Sequence, residues 1–164
     1  MSKTEKNLQD AFAGESQANR KYLAFSQQAE QEGYAQVAKL FRAAAAAETI
    51  HAHNHLKGLG AVKSTKENLM AAISGETYEF QKMYPPMIDD AKSEGQDYAL
   101  RSFSLANEVE KVHAALYMKA LENLGSNTTT DYYVCSYCGH TAEGAAPDNC
   151  PVCKAKKAAF RKAE

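Results

Sequence analysis

The sequence predicts a mainly α protein, a four-helix bundle followed by a small metal-stapled domain. Three observations carry this. Long stretches of helix-forming residues are cut by single glycines, the helical part repeats itself internally, and all four cysteines fall between Cys135 and Cys153. The chain has 164 residues, 45% of them hydrophobic and 24% charged, a composition that excludes a disordered or collagen-like chain. Its net charge of -1 supplies no bulk field for nucleic acid or an anionic membrane, so neither is expected as a partner. No apolar run approaches the ~18 residues of a membrane span. The amino terminus, MSKTEKNLQD, lacks the apolar stretch of a secretory signal. A cytoplasmic protein is the expectation.

Gly33, Gly60, Gly95 and Gly125 each follow a long run of helix formers, where a terminating glycine belongs. Ser64-Thr65-Lys66-Glu67 has the form of a capping box. These signals place helices at about 4–32, 34–59, 65–94 and 96–124, each near 40 Å at 1.5 Å per residue. Pro85-Pro86 lies inside the third and predicts a kink. The bundle domain is assigned to 1–126, with a polar linker at 127–130 inside Gly125-Ser-Asn-Thr-Thr-Thr130. The remaining 131–164 is too short to bury a core unaided and calls for a metal. Without a secretory signal, the sequon at Asn127 is discounted.

The repeat carries the chemistry. An offset of 62 superposes Ala29 on Ala91, Gly33 on Gly95, Phe41 on Phe103, Glu48 on Glu110 and His51 on His113. Nearer the start the offset is 61, and Gly14-Glu15 falls on Gly75-Glu76. One residue is therefore inserted between those blocks, an insertion the sequence reading assigns to the double proline. Two related hairpins result, each with a glutamate on its first helix and Glu-x-x-His on its second. Residues three apart share a helix face, so Glu48/His51 and Glu110/His113 can join Glu15 and Glu76 in a di-iron carboxylate arrangement. Hard carboxylate oxygens and imidazoles suit iron or manganese. Without metal, so many ionised carboxylates in a core would be destabilising.

Glu79 breaks the repeat, because its counterpart is Ala18. It shares a face with Glu76 and brings the carboxylates to five. Tyr22 and Tyr84 lie two turns beyond Glu15 and Glu76 on the same faces, either as core filling or as groups beside the metals. His55 could pair with His51 at a mononuclear zinc site, but its repeat counterpart is Tyr117. His53 is read as surface and His55 as a neighbour of the site.

Cys135-x-x-Cys138 and Cys150-x-x-Cys153 are two knuckles that together complete a sulfur tetrahedron for iron or zinc. Gly139 after the first knuckle rules out a c-type haem attachment. His140, in the connecting loop, is expected to be exposed.

With both parts in view the chain resembles a rubrerythrin over nearly its whole length. The stretches that carry the resemblance are AGESQANRKY, ETIHA, SGETYEFQKMYP, EVEKVHA and VCSYCG…CPVC. The resemblance implies a ferritin-like di-iron bundle followed by a rubredoxin-like domain. It also implies a cytoplasmic peroxidase that reduces hydrogen peroxide to water in oxidative-stress defence. The implied di-iron ligands are Glu15, Glu48, His51, Glu76, Glu79, Glu110 and His113, with one iron moving between His51 and Glu79. Tyr22 and Tyr84 would hydrogen-bond near the carboxylates or bound peroxide. Cys135, Cys138, Cys150 and Cys153 would hold one iron, open to zinc substitution, that relays electrons from an unidentified redox donor, a reductase or a rubredoxin-like protein. Members of the family are typically head-to-tail dimers, so a homodimer or higher homo-oligomer is implied, with each cysteine centre near the partner's di-iron site. Pro86 and Lys154 depart from the family pattern. The rival readings are a ferritin-like ferroxidase or iron-handling protein, which has no use for the cysteines, and a zinc-ribbon interaction module without turnover.

Overall fold

The computed structural model describes residues 1–164, which form two compact units, Met1–Lys63 and Ser64–Glu164. The first is a helical hairpin of α1 (Lys3–Gln31) and α2 (Ala35–Gly58). Ser2 opens α1 by accepting a hydrogen bond from the Glu5 amide in a capping box. Gly33, at φ 84°, closes it in a left-handed turn. There the Tyr34 amide reaches the Ala29 carbonyl at 2.8 Å, the pattern of a Schellman motif. Ala29, Ala38, Ala45 and Ala52 are the buried apolar residues of this unit, and their small side chains let the two helices pack closely. Phe25, Val37, Leu40 and Ile50 stay exposed.

The second unit holds α3 (Thr65–Tyr78), a π-helical segment (Glu79–Met83), α4 (Tyr84–Ser93) and α5 (Asp97–Glu122). The Ser64/Glu67 capping box forms as read from the sequence. The third predicted helix is not simply kinked at its prolines. Pro85 and Pro86 occupy the first turn of α4, where missing amide protons cost little. The disruption lies just upstream, where the Tyr84 amide bonds the Glu79 carbonyl five residues back. A π turn is how a helix absorbs one extra residue without losing its face. The insertion inferred from the change of offset therefore sits at 79–83, and Glu79 begins it.

The cysteine module is a three-stranded antiparallel sheet in the order β2-β1-β3, made of β1 (Tyr132–Cys135), β2 (Thr141–Glu143) and β3 (Phe160–Lys162). Tyr133 pairs with Ala142 on one side and Lys162 on the other. Its centre is Cys135 and Cys150, both fully buried. His140 is buried too, against the expectation of exposure, and stands edge-on to Phe160 with ring centres 6.2 Å apart. Its carbonyl accepts the Cys135 amide at 2.9 Å, which draws the loop inward. The module rests on α5. A Cβ at Gly139 would stand 3.8 Å from Val109, and Lys119 on α5 pairs with Glu143 on β2.

The two knuckles are built alike. The Gly139 amide bonds the Cys135 carbonyl at 2.9 Å and the Lys154 amide bonds that of Cys150 at 3.0 Å. Both positions are left-handed, with φ 82° and 65°, so Lys154 holds a conformation that glycine adopts freely. That strain costs a non-glycine residue ~1–2 kcal/mol, partly offset by the larger unfolded-state entropy of glycine. Lys154→Gly should stabilise the metal-loaded protein by about 0.5–1 kcal/mol, read as a raised thermal midpoint. A lowered midpoint would show that the Lys154 ammonium, which bonds the Pro151 carbonyl, outweighs the strain.

Candidate metal centres

Each helical hairpin assembles its own triad. In the first unit, Glu15 from α1 meets Glu48 and His51 from α2, with ligand atoms within 4.8 Å of one another. His51 Nδ1 lies 2.9 Å from Glu48 and 3.9 Å from Glu15. In the second unit, Glu76 from α3 meets Glu110 and His113 from α5. His113 Nδ1 lies 2.8 Å from Glu110 and 3.9 Å from Glu76. The near-identity of these distances is the sequence repeat expressed in three dimensions. Two carboxylates and one imidazole nitrogen, all aimed at a common point, are a ligand set for one hard or borderline divalent ion.

The two triads differ in their surroundings. Asn19 braces the first unit by donating to the Ala45 carbonyl and the Thr49 hydroxyl. In the second, Glu79 is half-buried outside the triad. Burial, and then the neighbouring Glu76 charge, push its carboxyl above the ordinary range. Burial and a hydrogen bond with Glu110 do the same for Glu76. Tyr84 lies in the same field: burial and the charges of Glu110, Glu79 and Glu76 push its phenol up. Tyr84 stacks at a tilt on Phe103 at 6.3 Å, and Tyr22 on Phe41 at 6.1 Å, again repeat partners. His53 and His55 take part in neither triad.

The four cysteine sulfurs form a third cluster. Cys135 and Cys153, and likewise Cys138 and Cys150, are 3.6 Å apart. A metal with bonds of ~2.3 Å to four sulfurs has edges of about 3.8 Å, whereas a disulfide is far shorter. Burial raises the Cys138 and Cys153 thiols. Burial also raises Cys150, but there the amides of Cys153 and Val152 point at the sulfur and bring the thiol below its usual value. The cluster fits a tetrahedral metal.

One contact escaped the sequence reading. His113 Nε2, the nitrogen facing away from the carboxylates, lies 3.1 Å from the Thr141 hydroxyl on β2. The pair is 28 residues apart, so no local spacing signals it.

A helical carboxylate–histidine ligand set followed by a four-cysteine metal module defines a class of two-module non-haem metalloprotein. The comparisons name it. The family model described as "Rubrerythrin" matches residues 6–121, and that of the "Rubrerythrin, rubredoxin-like domain" matches 133–161. The chain belongs to the rubrerythrin family. It is 34% identical to rubrerythrin-2 of Clostridium acetobutylicum, covering 94% of this chain and 93% of the relative. It is also 34% identical to nigerythrin of Nitratidesulfovibrio vulgaris, covering 96% and 85%. Among solved structures, mixed-valence nigerythrin matches with a TM-score of 0.60 at 34% identity, covering 99% of this chain and 88% of that one. The all-ferrous, fully reduced state of nigerythrin matches at 0.61 and 33%. The chain therefore carries the carboxylate–histidine ligands of a di-iron family as one triad in each unit, and a rubredoxin-like four-cysteine site.

The crowded carboxyls set a pH dependence. A carboxyl whose pKa is raised by folding binds protons more readily in the folded than the unfolded chain, so stability falls as pH rises above its ordinary 4.5. The metal-free protein should melt at a higher temperature near pH ~5.5 than near pH ~7. Iron(II) should cancel much of that difference by replacing the protons. Melting that is flat or opposite in slope would mean that Glu76 and Glu79 are not strained without metal.

Proposed function

We propose that this protein is a non-haem di-iron peroxidase that reduces hydrogen peroxide to water. The observation that carries it is the pair of matching triads in a chain that also holds a four-cysteine redox-type site. Glu15, Glu48, His51, Glu76, Glu79, Glu110 and His113 would hold two iron ions. Cys135, Cys138, Cys150 and Cys153 would hold a third, which zinc could replace structurally but not in electron transfer. A di-iron pair supplies both electrons that O–O cleavage requires at one place. Five carboxylates nearly neutralise two ferrous ions, so the charge can be tolerated away from water. Glu79, on its π turn, is a carboxylate with no repeat partner, and it serves as the ligand used in only one oxidation state, in exchange with His51. Tyr84, whose phenol lies in the field of Glu110, Glu79 and Glu76, would hydrogen-bond a carboxylate or the bound peroxide. Tyr22 does so from the matching position.

Electrons would reach the cysteine site one at a time from a reductase or rubredoxin-like donor. No helix is long and apolar enough to cross a membrane. We place the protein in the cytoplasm, in oxidative-stress defence. The exposed Phe25, Val37, Leu40 and Ile50 favour assembly as a homodimer or larger homo-oligomer.

Protein purified without oxygen should contain iron at both kinds of site and show the red ferric-thiolate spectrum. Its reduced form should be reoxidised faster by hydrogen peroxide than by O2. The reverse order would assign it to iron oxidation, and a colourless zinc protein without turnover would end the redox reading. Glu79→Ala, still loading iron, should slow peroxide turnover by about 10-fold or more while leaving the cysteine-site spectrum unchanged. Undiminished turnover would remove Glu79 from the cycle.

A further inference from the structure

The first turns of α5 and the cysteine module enclose a recess of about 710 Å³, a volume that suits a small-molecule ligand. Tyr98 and Arg101 line it from α5, three residues apart and so on one helix face. Tyr137, Cys153, Lys154 and Lys156 line it from the module.

The recess holds positive charge without negative charge. Lys119, Lys157 and Lys162 elsewhere on this unit each meet a carboxylate, those of Glu143, Asp148 and Asp131. The cations of the recess do not. The Lys154 ammonium donates to the Pro151 carbonyl at 2.7 Å and that of Lys156 to the Asn149 side-chain oxygen at 2.9 Å, both neutral acceptors. None of the residues lining the recess is acidic, so Arg101, Lys154 and Lys156 together favour an anion there. Guanidinium and ammonium groups are the usual donors to a phosphate. Lys154 also holds a left-handed backbone, φ 65°, that glycine would adopt without strain. Strain of this kind persists where the side chain has a use.

The recess also holds bare aromatic surface. Tyr98 is 89% exposed and Tyr137 76%, the two most exposed aromatic side chains of the chain. One exposed ring is ordinary, but two on one recess offer a platform on which a flat ring system stacks. Beside them is Cys153, which is half-buried, whereas Cys135 and Cys150 are fully buried. The edge of the cysteine cluster that the recess reaches is therefore the Cys153 sulfur.

We propose that this recess binds a flavin nucleotide, its phosphate held by Arg101, Lys154 and Lys156 and its ring system laid on Tyr98 and Tyr137 beside Cys153. A phosphate joined to a planar ring is the ligand that matches cations and bare aromatics in one pocket. The neighbouring site selects among such ligands. An iron held by four cysteines takes one electron, which a reduced flavin gives singly, whereas a nicotinamide gives up its electrons as a hydride pair. In the transfer, the flavin hydroquinone anion loses one electron and becomes the neutral radical, while iron(III) at the cysteines becomes iron(II). No proton moves and no covalent bond changes. The assignment goes beyond the peroxidase reading and needs neither the carboxylate triads nor peroxide.

The test begins with full-length, zinc-loaded protein, which keeps metal redox chemistry out of the measurement. Flavin mononucleotide is titrated and its fluorescence quenching followed. Saturable one-to-one binding is expected, with riboflavin, which lacks the phosphate, about tenfold weaker or more. Arg101→Gln and Tyr98→Ala should each weaken binding about tenfold, and Lys39→Gln, on the exposed side of α2, should leave it unchanged. Lys154→Gly should weaken it as well, with circular dichroism showing the protein still folded. In iron-loaded protein free of oxygen and peroxide, reduced flavin mononucleotide should bleach the ferric-thiolate absorption. At limiting flavin, Arg101→Gln should bleach about tenfold more slowly, whereas dithionite should bleach both proteins alike. Riboflavin binding as tightly as the nucleotide, binding that never saturates, or unaltered binding in both Arg101→Gln and Tyr98→Ala would overturn the proposal. Displacement of the nucleotide by an equal concentration of inorganic phosphate would reduce the recess to an anion site and overturn the flavin assignment. Failure in any of these arms leaves the peroxidase reading standing, and absent peroxide turnover leaves this site standing.

Discussion

The crowding of half-buried carboxylates around two histidines is the constraint on which the rest of the structure depends. Each of two triads packs two glutamates around one histidine, an arrangement that a cation placed among them would stabilise. Burial and the proximity of Glu110 push the Glu76 carboxyl above its ordinary range. The local architecture follows from the need to keep these groups together. Long helices supply positions three apart on one face, and small alanines allow the first hairpin to close tightly. Metal binding and folding are therefore expected to share one free energy, most of all in the cysteine module, where Cys135, Cys150 and His140 are the buried residues.

Much of this was legible in the sequence because the relevant signals are local or repeated. The terminating glycines and the Ser64/Glu67 box set the helix ends to within about two residues of those observed. The repeat singled out the six residues that the structure gathers into two triads, since Glu-x-x-His spacing decides by itself which side chains share a face. The one-residue change of offset even registered the π turn, though it was assigned to the prolines. Proline is the more visible breaker, but at 85 and 86 it sits harmlessly in a first turn. The extra residue was taken up at Glu79–Met83, where a widened turn leaves flanking faces in register.

What stayed hidden depends on contacts between distant segments. His140 looked like a polar loop residue. Its burial comes from a sheet that folds its ring against Phe160 and its carbonyl onto Cys135, and neither contact has a sequence spacing to reveal it. Thr141 is one of many threonines until the module settles on α5. Lys154 was flagged because glycine is usual there, and the left-handed backbone gives the physical reason.

The departures from symmetry fall where the proposed chemistry needs them. Two identical halves would offer two ions identical surroundings. The second half alone carries the π turn with Glu79, and it alone carries a helix against which the cysteine module docks through His113, Val109 and Lys119. The second triad has an extra carboxylate beside it and a histidine hydrogen-bonded at both nitrogens, whereas the first has a half-exposed histidine bonded at Nδ1 alone. The repeat thus accounts for the matching triads, and the breaks in it account for the extra carboxylate and for the docked cysteine module.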